Sequence, residues 1–182
     1  FNFAWNVGAD LPSIETTTAR VRLVANDTLS SSSVAVSSLF AIDTLAPQVS
    51  LVSAAQNTGA GTVAIQYTLT ESNTSFVEVE ISSDGGLTWT VATSTITGAV
   101  GGGVTSGVKS IAWNAKVDYN NQYDTDLVVR IRARDSFGNQ GDYTQSGQFV
   151  IDTKAPVVTN LTAAQNSGAD SFVFHYDVSE DI

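Results

Sequence analysis

Carboxylate and amide side chains accumulate around two short prolyl segments of this 182-residue chain, Asp43-Thr-Leu-Ala-Pro47 and Asp152-Thr-Lys-Ala-Pro156. Oxygen ligands of this kind suit Ca²⁺, which takes about six to eight of them. We therefore predict calcium sites at the two segments. The candidate ligands are Asp10, Glu15, Asp43, Glu71, Asn73, Asp118, Asp124, Asp126, Asp135, Asp152, Glu180 and Asp181. The alternative interpretation is that these residues are solvated carboxylates and turn formers, placed by local hydrogen bonds.

A second motif, Ser82-x-Asp84-x-Gly86-x-Thr88-Trp89, matches the Asp box of sialidase-like propellers but occurs once. A tight hairpin accounts for it, because Asp-Gly supplies the positive φ that such turns need. His175 is the one histidine of the chain. On the outer face of a strand it is neither a metal cluster nor half of a nucleophile–base pair. No spacing of carboxylates sets two of them across a cleft, so we expect no catalysis within these residues.

Three arginines, Arg130, Arg132 and Arg134, alternate along one predicted strand and share a face. An anion or carbohydrate site is one interpretation of such a row. If the third strand lies alongside, however, it places Glu78 and Glu80 on the same face. We therefore predict cross-strand ion pairs, worth about 0.2–1 kcal/mol each.

The elements that position these residues follow from an internal repeat. Three segments align with later ones in register: Trp5–Asp27 with Trp113–Asp135, Phe40–Pro47 with Phe149–Pro156, and Ala54–Ala60 with Ala163–Ala169. A self-match of this length indicates a tandem array. We predict the C-terminal part of one unit over 1–44, a complete unit over 45–153 and the N-terminal part of the next over 154–182. The joints between units are the two prolyl segments, and their shortness should hold neighbours end to end.

Alternation of apolar and polar residues, as in Val63, Ile65 and Tyr67, predicts strands rather than helices. The predicted strands of the complete unit are 48–54, 62–70, 76–82, 87–93, 108–114, 127–134 and 147–152. The glycine-rich stretch from Gly98 to Gly107 is predicted to be a mobile loop. Seven short strands separated by turns predict an all-β fold of tandem seven-stranded antiparallel β-sandwiches.

Two stretches of the complete unit resemble a known family. VEVEISSDGGLTWT resembles the third strand, hairpin and fourth strand of fibronectin type III domains. LVVRIRARDSFGNQ and FVIDT with its Ala-Pro resemble the last strands and joint of fibronectin-like and immunoglobulin-like repeats in bacterial surface proteins. The chain departs from the family at Leu127, where fibronectin type III domains usually carry a tyrosine. The joints look similar to those of cadherins and calcium-stiffened adhesins, although the cadherin linker motif is absent. The resemblance implies an extracellular or cell-surface location.

Composition narrows the function classes. The net charge is −10 with 14% charged residues, and such an acidic surface disfavours nucleic acid, which needs a basic stripe. There is no cysteine, so disulfide and thiol chemistry are excluded. No stretch approaches the roughly eighteen apolar residues that a membrane span needs.

We therefore predict a structural or adhesive segment of a long extracellular repeat protein, such as a stalk, surface-layer component or filament. Its partners would be neighbouring repeats or copies of itself. The alternatives are a module that binds cell-surface glycan or protein, and an accessory domain of a secreted carbohydrate-active enzyme. The partial units are expected to be completed by a continuous parent chain, and strand exchange between copies is the alternative.

Overall fold

The computed structural model describes residues 1–180, and Asp181, one of the candidate ligands, lies outside them. Strands dominate the structure, and the strand pairings formed by the described residues are antiparallel. The all-β class predicted from the alternation pattern is therefore confirmed. Two helices are present in this part of the chain, each of four residues.

The first segment of the structure contains one short helix and four strands. They are α1 Val7–Asp10, β1 Glu15–Ala19, β2 Arg22–Leu23, β3 Ala35–Val36 and β4 Phe40–Asp43. Strand β1 pairs with β4, and β2 pairs with β3, as two separate two-stranded sheets. Most side chains here are exposed to solvent, and Ile42 is a buried exception.

The middle of the chain forms two larger sheets. Its elements are β5 Gln48–Gln56, β6 Val63–Thr70, β7 Ser75–Ser82, β8 Thr97–Gly98, β9 Gly101–Val104, β10 Gly107–Trp113, α2 Ala115–Asp118, β11 Tyr123–Asp135, β12 Thr144–Gln145 and β13 Phe149–Asp152. One sheet has the order β5-β6-β10-β8. The other has the order β12-β11-β7-β9, and β13 also pairs with β11.

One hydrophobic core lies between these two sheets. Alternate residues of β6 point into it, including Ile65 and Tyr67, and alternate residues of β11 meet them, including Val129 and Ile131. Trp113, at the end of β10, is fully buried in the same core. Burying one large apolar side chain stabilises a fold by about 1.5–3 kcal/mol. Two antiparallel sheets packed face to face over such a core have the character of a β-sandwich.

The last segment is a two-stranded hairpin of β14 Val157–Gln165 and β15 Phe172–Ser179. Large apolar side chains such as Phe172, Phe174 and Tyr176 are exposed on it. His175 is exposed on β15 opposite Thr162.

The predicted strand over 87–93 is wrong. In this stretch Val91 forms one isolated bridge with Ile81, and no strand develops. The physical reason is a dense set of hydrogen bonds around Asp84 that holds the preceding chain in a compact turn. Trp89 then packs against Arg130 of β11 instead of extending a ladder.

The prediction of a loop throughout Gly98 to Gly107 is also wrong, because β9 lies within it, β8 ends at Gly98 and β10 begins at Gly107. Strand β9 pairs with β7, and its Val104 is buried in the core. Glycines at positive φ, such as Gly101 at +76° and Gly103 at +80°, allow a strand that a side-chain-bearing residue would strain. The Tyr67 hydroxyl further fixes the stretch by donating to the Ala99 carbonyl at 2.6 Å.

Candidate metal site

Three carboxylates from distant parts of the sequence converge next to the first prolyl joint. Asp43 ends β4, Glu71 follows β6, and Asp135 ends β11. One carboxylate oxygen of each lies within 4.8 Å of the others. All three belong to the residues predicted as calcium ligands, and we call them the acidic cluster.

Asp135 is a buried member of the acidic cluster, with 6% of its surface exposed. Its Oδ1 accepts the backbone N–H groups of Phe137 and Asn139 at 2.8 and 2.9 Å. Its Oδ2 accepts the Asn139 side-chain amide at 2.7 Å. The turn that supplies these donors passes through Gly138 at φ +95°. The carboxylate is thus held in place by the loop that follows its own strand.

Asp43 is bound by two amides from the middle of the chain. Asn73 Nδ2 donates to Asp43 Oδ2 at 2.8 Å. Asn139 Nδ2 donates to the Asp43 backbone carbonyl at 3.2 Å. Strand β4 therefore ends in direct contact with the loop after β6 and the loop after β11.

Glu71 is oriented by the loop in which it lies. Its Oε1 accepts the backbone N–H groups of Ser72 and Asn73 at 2.8 and 3.0 Å. The Ser72 hydroxyl also donates to Glu15, which stands opposite Asp43 in the β1–β4 ladder. Glu15 and Asn73, both predicted ligands, consequently border the acidic cluster.

A buried hydroxyl lies on the core side of the cluster. Ser75 is 2% exposed, and its Oγ has no hydrogen-bond partner among the described residues. Ser75 stands directly opposite Asp135 in the β7–β11 ladder. Directly opposite residues of an antiparallel pair share a face, with their Cβ atoms about 4.5–5.5 Å apart. The Ser75 hydroxyl and the Asp135 carboxylate thus occupy the same end of the core.

The cluster brings three carboxylates together, and their negative charges repel one another. Two carboxylates about 4 Å apart repel by about 1 kcal/mol in bulk water and by more where water is excluded. Carboxylate and amide oxygens are ligands of Ca²⁺ and Mg²⁺, whereas soft metals prefer sulfur. The residues present therefore fit a hard divalent cation.

Two other candidate ligands have a different role in the structure. Asp118 Oδ2 accepts the Trp113 indole N–H at 3.0 Å, and the Thr95 amide and hydroxyl at 3.0 and 2.8 Å. Its Oδ1 accepts the Ser94 hydroxyl at 2.5 Å. Asp10 accepts the Trp5 indole N–H at 2.6 Å in the same way. The structure does not bring these two carboxylates to the acidic cluster.

The environment of Asp118 shifts its pKa. Burial acts to raise the pKa of this carboxyl. Hydrogen bonds from Ser94, Thr95 and Trp113 favour the charged form and together outweigh burial, so the pKa is lower than the usual 3.8. Asp118 is therefore held as a carboxylate that organises the end of the sandwich around Trp113.

The remaining candidates are also separate from the cluster. Asp124 accepts the Tyr119 hydroxyl at 2.9 Å and the Asp126 backbone N–H at 2.9 Å. At the second joint, Asp152 accepts the Lys154 backbone N–H at 3.0 Å. Glu180 is the last described residue and lines a small cleft beside that joint.

The predicted arginine–glutamate pairs are confirmed. Arg130 contacts Glu80 through Nε at 2.6 Å, and Arg132 contacts Glu78 through Nε at 2.5 Å. Arg134 stands opposite Phe76 instead of a carboxylate.

Two aromatic rings, Trp89 and Tyr143, pack against these arginines. The contacts of Tyr143 are not among those predicted from the sequence. The Arg130 guanidinium lies 4.1 Å from the ring centres of both Trp89 and Tyr143. Arg132 lies 4.5 Å from the ring centre of Tyr143. One face of the Trp89 ring is thus in contact with Arg130.

The Asp-box motif forms a turn closed by its own side chains. Asp84 accepts the Thr88 hydroxyl at 2.6 Å, the Thr88 backbone N–H at 2.8 Å and the Ser82 hydroxyl at 2.7 Å. These bonds, the Thr88 hydroxyl first, lower the pKa of Asp84 to about 2. The turn predicted at Asp84 is therefore present, although the strand that would complete a hairpin does not form.

Within residues 1–180, no helix combines the length and the apolar character needed to cross a bilayer. Comparison of the chain with protein-family models, curated proteins and solved structures finds no match. Function must therefore be argued from the residues and contacts described above.

Proposed function

We propose that this chain is a structural or adhesive segment of a long extracellular repeat protein, such as a stalk, a surface layer or a filament. Its units would be seven-stranded sandwiches of the fibronectin type III or immunoglobulin type, arranged in tandem. No catalytic role is proposed. The observation that carries the proposal is the set of contacts that fastens the first joint to the middle of the chain.

Those contacts leave the joint little freedom. Asp43 is held by Asn73 and Asn139 from two different loops. Four residues later, the Pro47 carbonyl lies against Gly141 so closely that a side chain at Gly141 would collide with it. A joint that is short and bound at both ends transmits position from one unit to the next, which is what a spacer requires.

Local structure also recurs where the sequence repeats. Helix α1 and its aligned counterpart α2 each end at the aspartate that accepts a tryptophan indole N–H. Leu51 and its counterpart Asn160 share the same unusual φ of +53° and +52°. Such recurrence supports units of one design placed in series.

In this proposal the acidic cluster holds Ca²⁺ at the joint. Asp43, Glu71 and Asp135 would supply carboxylate oxygens, and the Nδ2 donors of Asn73 and Asn139 would hold Asp43 and Asp135 in place. The bound cation would supply the positive charge that offsets carboxylate repulsion. Because Asp43 belongs to β4 and the other residues to the middle of the chain, this site would reinforce the joint that the amides already hold.

Small-angle scattering of the 182-residue protein tests the spacer function. We expect one well-defined maximum dimension in calcium, and a broader distribution of dimensions in EDTA. The Asp43→Ala variant should show the broader distribution in both buffers. Asp170→Ala removes an exposed carboxylate far along the chain and serves as the matched control. A wild-type distribution that is equally broad in both buffers would contradict a defined joint.

A further inference from the structure

The acidic cluster alone does not explain the buried hydroxyl beside it. Resting on the proposed cation site, we propose that the Ser75 Oγ is an inner ligand of that cation. The cation would then link the joint to the central strands β7 and β11. It would stabilise the sandwich formed by β5 to β13, which we call the middle sandwich, as well as the joint.

The Ser75 hydroxyl has no hydrogen-bond partner among the described residues. A buried hydroxyl without a hydrogen bond is costly, because the group has given up water and received nothing in exchange. Neighbouring inward positions of the same strand carry apolar residues such as Val77 and Ile81. An alanine or valine at position 75 would avoid the cost. A hydroxyl at this position is favourable if it has a partner that does not belong to the protein chain.

The location of Ser75 in the sheet is also informative. Ser75 pairs with Asp135 on one side and with Val104 on the other. Val104 offers no polar atom on its side chain, whereas Asp135 belongs to the acidic cluster. Of the two ladder partners of Ser75, the one with a polar side chain is thus the one that belongs to the cluster. A neutral hydroxyl oxygen adds to the ligand number without adding to the repulsion between carboxylates.

A cation bound by Ser75 would also change how β4 is connected to the middle sandwich. The covalent path from β4 enters the middle sandwich through β5, an edge strand of its sheet. A cation held by Asp43, Asp135 and Ser75 would add a second path, from β4 directly to β7 and β11 in the interior of the other sheet. Ligands that bind the folded state alone raise its stability by mass action. Calcium should therefore raise the unfolding temperature of the middle sandwich.

The experiment compares wild type and Ser75→Ala in the whole 182-residue protein. Calcium affinity is measured by isothermal titration calorimetry, and thermal unfolding is followed in EDTA and in calcium. We expect Ser75→Ala to weaken calcium binding by about tenfold or more, because the buried cation would lose one of its oxygen ligands. In EDTA the same variant should unfold at an equal or higher temperature than wild type, because the unpartnered hydroxyl is gone. The sign of the effect thus reverses with calcium.

Ser82→Ala is the matched control, at the other end of β7. Ser82 is equally buried, but its hydroxyl donates to Asp84 at 2.7 Å and accepts the Gly86 N–H at 2.8 Å. We expect this variant to unfold at a lower temperature in both buffers and to bind calcium as wild type does. Ser75→Cys, which preserves volume but offers a poor ligand for a hard cation, provides a second variant if the alanine variant does not fold.

The outcomes separate the two proposals. If wild type does not bind calcium, the cation site itself is overturned, and the role of Ser75 with it. If wild type binds calcium and both Ser75 variants bind it with unchanged affinity, the site stands and the role of Ser75 is overturned. Weakened binding in the Ser75 variants, with the control unaffected, supports the inference.

Discussion

The two copies of the Trp-Asn-x-x-x-Asp segment share a hydrogen bond but differ in burial. Trp5 donates to Asp10 and is 40% exposed, whereas Trp113 donates to Asp118 and is fully buried. The short helix between tryptophan and aspartate forms in both places. The local conformation is therefore encoded in a few neighbouring residues. Burial, in contrast, depends on strands such as β6 and β7 that come from elsewhere in the chain.

The largest expected difference between the copies concerns the tryptophans themselves. Trp113→Ala should lower the free energy of unfolding of the middle sandwich by about 3–5 kcal/mol, since it leaves a cavity in a packed core. Trp5→Ala should change it by less than about 0.5 kcal/mol, as for most surface substitutions. Urea unfolding followed by circular dichroism measures both. Equal losses of unfolding free energy in the two variants would contradict the difference in burial between the two tryptophans.

The aspartates should differ by a smaller amount. Asp118→Ala removes the acceptor for Trp113 and for the Thr95 amide, and leaving buried donors unpaired costs about 1–3 kcal/mol. Asp10→Ala should have little effect on the same transition, because its indole partner can bind water. Thermal unfolding monitors the difference. Calcium affinity should be unchanged in both variants. A loss of affinity would indicate that these aspartates are ligands of the cation after all.

The arginine surface provides a third comparison. Arg130 lies between Trp89 and Tyr143 and pairs with Glu80, whereas the aligned Arg22 is exposed. Arg130→Ala should cost about 1–2 kcal/mol, the sum of a partly exposed ion pair and cation–π contacts. Arg22→Ala should cost almost nothing. Urea unfolding checks both, and a change in the tryptophan emission on loss of the contact between Arg130 and Trp89 provides a local readout.

The acid response should be the smallest effect. The folded-state pKa of Asp118 is below the usual 3.8 because its hydrogen bonds outweigh burial. The contribution of Asp118 to stability is therefore complete above that usual value and is lost as the pH falls through the lowered pKa. Unfolding free energy measured from about pH 6 to pH 2 should fall less steeply in Asp118→Asn than in wild type. Parallel curves would contradict this assignment.

Much of the fold could be predicted from the sequence where side-chain alternation is regular. Strand β6 alternates throughout and β11 alternates from Val129 to Asp135. The predicted pairs between β11 and β7, Arg130 with Glu80 and Arg132 with Glu78, follow from the shared face. The stretch 87–93 alternates less clearly. Its conformation is determined by the side-chain hydrogen bonds of Asp84, and a pattern of apolar residues gives no information about these bonds.

The candidate site was predictable in part for a similar reason. Loop order in a sandwich placed Asp43, Glu71 and Asp135 at one end, and the structure brings them together. The same reasoning included Asp118, although its spacing of five residues from Trp113 could have indicated an indole hydrogen bond. Ser75 could not have been found, because its importance depends on exact cross-strand register with Asp135 and on the absence of another partner.

In the proposed function, the first joint holds its two sides in one arrangement. The chain has no cysteine, so spin labels can be attached cleanly at Thr17→Cys on β1 and Thr90→Cys in the middle sandwich. A label pair at Ser110→Cys and Thr90→Cys, both within the sandwich, gives the reference width. In calcium, double electron–electron resonance should show one distance distribution across the joint, about as narrow as that of the reference pair. Asp43→Ala should broaden this distribution. A broad distribution in wild type with calcium present would contradict the account.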